Sequence, residues 1–170
     1  MQATDAELVE ALARRRLGLP PPPFAVHELD SFFHYNSHPF QLYERFGGDD
    51  ADVSSGECVY FFSDQIGIGA HDWKVASGNQ RVFDADAGGG GEEIGCKLTL
   101  VFDDSRWGIQ QGTTRWIMDE FDAAHDDRRG EIPWRLYDLR LYRLRRQQGP
   151  PRRQQEPRRV GGFRRLNLLV

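Results

Sequence analysis

His34 and His38 are spaced so that a helix would bring two imidazoles together, the beginning of a metal site. Ser37 and Pro39 break that helix, and no pair of cysteines stands nearby to complete a zinc centre, so the stretch reads as a loop. Three acidic pairs, Glu92-Glu93, Asp103-Asp104 and Asp126-Asp127, could supply the two carboxylates of a glycosidase. Each falls where the pattern predicts a loop, and paired loop acids are ordinarily solvated surface. Cys58 and Cys96 fall inside predicted strands, where a thiol is a small core residue more often than a nucleophile. The run Gly88–Gly91 lacks the Lys-Ser/Thr of a phosphate loop and a strand feeding a helix. No Ser-His-Asp ordering stands out. These side chains predict no enzyme, no metal, no cofactor and no small-molecule substrate.

The elements that would carry such residues are legible in the pattern. Residues 4–17 predict a helix: Thr4 and Glu7 form a capping box, Leu8, Val9, Leu12 and Leu17 recur near helical spacing, and Gly18 offers a stop. Pro20–Pro23 predict an extended connector. Residues 24–46 predict loops and a short helix, and Gly47–Gly56 an acidic loop. Glu57–Phe62 is aromatic and β-branched, a strand signal. His71–Ala76 and Gln80–Phe83 are weaker strand candidates on either side of Gly78. Ile94–Phe102, Thr113–Phe121 and Trp134–Leu144 alternate as half-buried strands do. Strands follow one another through short polar loops with no helix between them, which favours an antiparallel sheet over βαβ units.

The chain has 170 residues, enough for one domain with a sizeable core. No apolar run approaches the ~18 residues that cross a bilayer. The first residues lack the basic-then-apolar layout of a signal peptide, so a soluble, intracellular protein is expected. The net charge of -4 conceals a division. From residue 140 onward ten arginines face a single glutamate, a balance of +9, which leaves -13 on the residues before it. Residues 147–170, rich in Arg, Gln, Pro and Gly, read as a disordered basic tail, a nuclear-import signal or a nonspecific nucleic-acid arm.

The ordered segments carry a resemblance. Thr4–Val9 resembles the "PTDEELV" opening of the NAC domain, a plant-specific transcription-factor family, and His27–Asp30 resembles its "IxExDVY" step. Val59–Ser63 is similar to "EWYFFS", Asp72-Trp73-Lys74 to "GYWK", and Lys97–Phe102 to "KKTLVFY". Thr114–Phe121 resembles "TNWVMHEY", and Leu139–Arg143 resembles "VLCRIYKK". Seven pieces in the family's order span residues 4–143. The resemblance implies an α+β fold, a twisted antiparallel β-sheet flanked by a few helices. It also implies dimerisation, and a sheet edge inserted into the major groove of double-stranded DNA.

A two-stranded ribbon fits that groove, with cations on phosphates and one or two side chains on base edges. By the resemblance Lys74 leads the contacts. Trp73 beside it reads as a packing anchor before a stacking group. Matching "WKATGxDK" without a gap puts Gln80 at the last lysine, and a slip of one residue puts Arg81 there. Arg106 aligns with the basic residue of the "GKAPKG" loop. Lys97 and Arg115 are strand residues near the same edge, and either could instead be plain solvent-facing charge. Glu7 matches the acidic residue of the family's dimer interface, whose arginine precedes "PTDEEL" and is absent from a chain starting at Met1.

Departures accompany the matches. Asp64–His71 lacks the basic residues of the family's loop, Ile109, Gln110 and Gln111 replace lysines, and Asp119 replaces the histidine of "HEY". Fewer cations release fewer counterions and weaken binding. The expectation is therefore a nuclear, sequence-specific DNA-binding transcriptional regulator, with residues 1–146 as the DNA-binding domain and 147–170 as the tail. It would act as a homodimer or as a heterodimer with other NAC-domain proteins, away from membranes. The alternative is an interaction module of the same fold that has lost DNA reading and pairs with full-length relatives.

Overall fold

The computed structural model describes residues 2–30, 37–46, 58–64, 72–84, 91–103, 114–124, 136 and 138–148. Helix α1 spans Asp5–Arg16 and begins as its sequence dictates. The Glu7 amide donates to the Thr4 hydroxyl at 3.2 Å, and the Thr4 amide donates to the Glu7 carboxylate at 2.7 Å. Two backbone donors that the first turn leaves open are thereby satisfied. Gly18 ends the helix with a φ of 68°, a left-handed conformation that suits a residue without a Cβ. Helix α2 spans Pro39–Arg45. Pro39 stands in its first turn, where no backbone donor is missed. His38 is its N-cap: Nδ1 accepts the Phe40 amide at 3.1 Å.

Six strands follow in chain order: β1 (His27–Glu28), β2 (Cys58–Asp64), β3 (Trp73–Phe83), β4 (Glu93–Phe102), β5 (Thr114–Ala123) and β6 (Leu139–Gln148). They form one open sheet in the order β1-β2-β6-β5-β4-β3. Every pairing is antiparallel except that of the two-residue β1, which runs parallel to β2. The α+β expectation holds, with β1 as the exception to an otherwise antiparallel sheet.

Two strands differ from their sequence reading. β3 is a single strand through Gly78 rather than two pieces. It lies at the edge and is mostly exposed, so it needs no apolar alternation to mark it. β6 starts at Leu139 and runs past residue 146 to Gln148; Leu136 and Asp138, inside the predicted Trp134–Leu144 strand, precede it. Arg140, Arg143, Arg145 and Arg146 thus belong to a central strand of the sheet, which also takes in Gln147 and Gln148.

Alternation divides the core between the two faces. Tyr60, Phe62, Phe121, Leu139 and Leu141 pack under Leu8, Val9 and Leu12 of α1. Val59, Phe61, Trp116, Met118, Tyr142 and Leu144 pack on the other face with Leu42 and Tyr43 of α2. Burying a leucine as completely as Leu8 or Leu12 contributes about 2 to 3 kcal/mol. Gly95 permits the close seat of α1: a Cβ there would overlap the Asp122 carbonyl oxygen and Val9 Cγ1.

The α1 face also holds a charged cluster. Asp119 is 1% exposed, accepts the Thr99 hydroxyl at 2.7 Å, and takes Arg143 through Nε at 2.9 Å and Nη2 at 2.7 Å. Arg143 Nη1 reaches Asp5 at 2.9 Å, and Lys97 Nζ reaches the same carboxylate at 2.6 Å. The first turn of α1 is tied to β4 and β6 through these charges. At the other end of α1, buried Arg16 donates to the Leu139 carbonyl at 2.7 Å and pairs with Asp122 at 2.8 Å.

Candidate nucleic-acid interface

β3 is the last strand of the sheet, so one of its two edges has no strand partner among the described residues. From Lys74 to Arg81 every residue is exposed except Ser77, which is half-buried. Buried Trp73 anchors one end, its ring edge-on to Phe102 at 5.1 Å, and buried Val82 anchors the other. A strand pinned at both ends and open between them can offer its side chains to a groove.

The register assigns each candidate to a face, because cross-strand partners share one. Lys74 pairs with Val101, and Gln80 with Lys97, both on the α1 face. Arg81 pairs with Cys96 and lies on the α2 face. Register shifts between Val75 and Ser77, and again between Ser77 and Gln80, bend the strand in between. Lys74 and Arg81 are therefore not brought together on one surface.

Each cation at this edge has an acidic neighbour. Lys74, 72% exposed, pairs with Asp103. Arg81 Nε stands 3.5 Å from the Glu93 carboxylate. Lys97 is largely buried against Asp5 and anchors α1. Arg115 is exposed and has no ion pair among the described residues. Trp73 is turned into the core. Arg106, His34, Asp104, the Asp126-Asp127 pair, Gly88–Gly90 and the chain beyond Gln148 lie outside the described residues.

The remaining chemical candidates have structural surroundings. His38 caps α2. Burial pushes both the Cys58 and Cys96 thiols up, which makes them poor nucleophiles. Among the described residues no three His, Cys, Asp or Glu side chains converge on a metal site, and no helix is long and apolar enough to cross a membrane. Glu7 is exposed; the Thr4 amide and hydroxyl hold its carboxyl below the ordinary range. Only its Oε2 is engaged by Thr4. The partners Asp103 and Glu93 were invisible in the sequence, because cross-strand neighbours appear only once the register is known.

The sequence model of the No apical meristem (NAM) protein family matches residues 1–123. The chain belongs to that family, the NAC-domain family of its ordered motifs. The match ends at the last residue of β5, so central β6 lies beyond it. No curated protein matches the chain. Members of the family are in general DNA-binding transcription regulators rather than enzymes, typically nuclear and dimeric.

Proposed function

We propose that this chain is a sequence-specific DNA-binding transcription regulator of the nucleus whose β3 enters the major groove edge-on. The observation that carries this is the open outer edge of β3, exposed between two buried anchors. Lys74 would take phosphate from the α1 face and Arg81 from the α2 face, with Arg106 supporting. The chain would act as a dimer: Glu7 would present Oε1 to the interface arginine of a family member that carries one, while Oε2 stays on Thr4. The test is fluorescence anisotropy with a duplex carrying a family-type site and a scrambled duplex. Tighter binding to the site at moderate salt is expected, and equal binding would refute sequence reading.

A second reading is favoured by one specific observation. Lys74 and Arg81 each face a carboxylate from β4 or its flank, which lowers their attraction for phosphate. In this reading the chain is an interaction module that pairs with other NAC-domain proteins and reads DNA weakly. Mixing it with a DNA-binding family member separates the two readings. The module draws that member off its site, whereas the regulator leaves it bound or joins it there.

A further inference from the structure

We infer that Leu19–Pro23, the connector between α1 and β1, is a docking ligand for a protein domain that reads polyproline II helices through a groove of aromatic rings. The inference adds a partner to the chain and does not depend on DNA binding by β3.

The conformation of the connector follows from its sequence. Each proline fixes its own φ at about −65°. Leu19, Pro20, Pro21 and Pro22 each precede a proline, which keeps their ψ out of the helical range. Four successive residues are thereby held in polyproline II, a helix of about three residues per turn and about 3.1 Å per residue. Pro20 and Pro23 stand one turn apart on this helix, separated by about 9 Å along its axis. Both are exposed, as is Pro21 between them, and Leu19 is 49% exposed. Pro22 is half-buried, and Phe24 is half-buried against the Tyr60 ring at 5.7 Å.

The fold already holds this segment. The Leu19 amide donates to the Arg14 carbonyl at 2.9 Å, and Arg14 Nε donates to the Pro20 carbonyl at 3.1 Å. Arg15 spans the connector to pair with Glu28 of β1 at 2.7 Å. A ligand ordered before binding loses little further conformational freedom when it docks.

The chemistry of the segment specifies its reader. Pro20–Pro23 offer ring surfaces and carbonyls but no backbone donor. Among the described residues the carbonyls of Pro21, Pro22 and Pro23 accept no hydrogen bond. A complementary groove therefore supplies aromatic faces for the rings and hydroxyl or indole N–H donors for the carbonyls, as Tyr and Trp do. Domains of the SH3, WW and EVH1 kinds carry such grooves. The neighbouring cations Arg14 and Arg15 are engaged with Pro20 and Glu28, so recognition rests on rings and not on charge. β1, into which the segment leads, stands five strand spacings from β3, about 24 Å at ordinary spacing. A domain seated on the connector leaves the outer edge of β3 open.

The test titrates the full chain into isolated, isotope-labelled SH3, WW and EVH1 domains and follows the indole signals of their groove tryptophans by NMR. The expected result is a saturable shift of those signals in at least one domain, reversed by excess oligoproline peptide. Pro20→Ala combined with Pro23→Ala should weaken that binding by about tenfold or more, the effect of removing anchors at the centre of an interface. If the double variant lowers the thermal midpoint, Leu19→Asp, at an exposed position, should still weaken binding by about tenfold. Unmoved groove signals in all three domains would overturn the inference. So would shifts confined to residues outside the groove, or binding that both variants leave unchanged.

Discussion

Lys74 and Arg81 stand on one strand but on opposite faces of the sheet. The two register shifts between them leave the face of each set by its own partner, Val101 for Lys74 and Cys96 for Arg81. A strand lying in a groove with one cation on each face would touch the two walls independently.

Independence has a measurable form. Lys74→Gln and Arg81→Gln should each weaken DNA binding and each lower the salt slope by about 1. The double variant should lose the sum of the two free energies within about 0.5 kcal/mol, as distant sites do. A double-mutant cycle by anisotropy checks this. A coupling above about 1 kcal/mol would mean that both side chains serve one phosphate.

Asp103 restrains Lys74. Exposed ion pairs are worth about 0 to 1 kcal/mol, so freeing Lys74 is modest in energy, and removing a carboxylate beside the backbone adds to it. Asp103→Asn should therefore tighten DNA binding by up to about fivefold at low salt. The part of the gain that comes from freeing Lys74 should vanish in a Lys74→Gln background, and the part that comes from the lost carboxylate charge should remain. Equal or weaker binding by Asp103→Asn would show that the pair does not oppose DNA.

Asp119 compensates Arg143 in the core. Removing one member of an isolated buried pair costs about 3–5 kcal/mol, and here Arg143 keeps Asp5 at 2.9 Å, so the loss should fall toward or below the low end of that range. Asp119→Ala should move the urea midpoint down accordingly, with an unchanged slope. A loss below about 1 kcal/mol would mean that water or another acid takes over Arg143.

Asp5 adds a pH dependence. Burial pushes its carboxyl up, but the Lys97 hydrogen bond and the charges of Arg143 and Lys97 outweigh that and leave it lowered from 3.8. A carboxyl lowered by folding contributes stability above its unfolded value and loses it as pH falls through the folded one. Thermal midpoints taken from about pH 5 down to about pH 2 should fall more steeply for the wild type than for Asp5→Asn. Parallel curves would contradict the assignment.

Much of this architecture was legible in the sequence because its causes are local. The Thr4–Glu7 capping box, Gly18 as the stop of α1, and the alternation of β4 and β5 depend on residues close in the chain. The pieces that escaped depend on distant partners. β3 is an exposed edge strand, so polar residues and Gly78 masked its continuity. The arginines of β6 looked like surplus charge until Asp5, Asp119 and Asp122 came to face them. Lys97 reads in the sequence as either a DNA-edge cation or plain solvent-facing charge, and its pair with Asp5 of α1 joins residues too distant in the chain to be seen there. The one-residue ambiguity between Gln80 and Arg81 could not be resolved on paper, because it depends on bulges that only the pairing with β4 reveals.

The most direct test of the central claim compares wild-type binding to a family-type duplex and to its scrambled counterpart at moderate salt, by anisotropy on the full chain. Sequence reading by β3 requires tighter binding to the family-type duplex, while Lys74→Gln, which removes a phosphate contact, should weaken binding to both duplexes alike. Equal affinities that decline together as salt rises would contradict it and leave a protein that only adheres to phosphate.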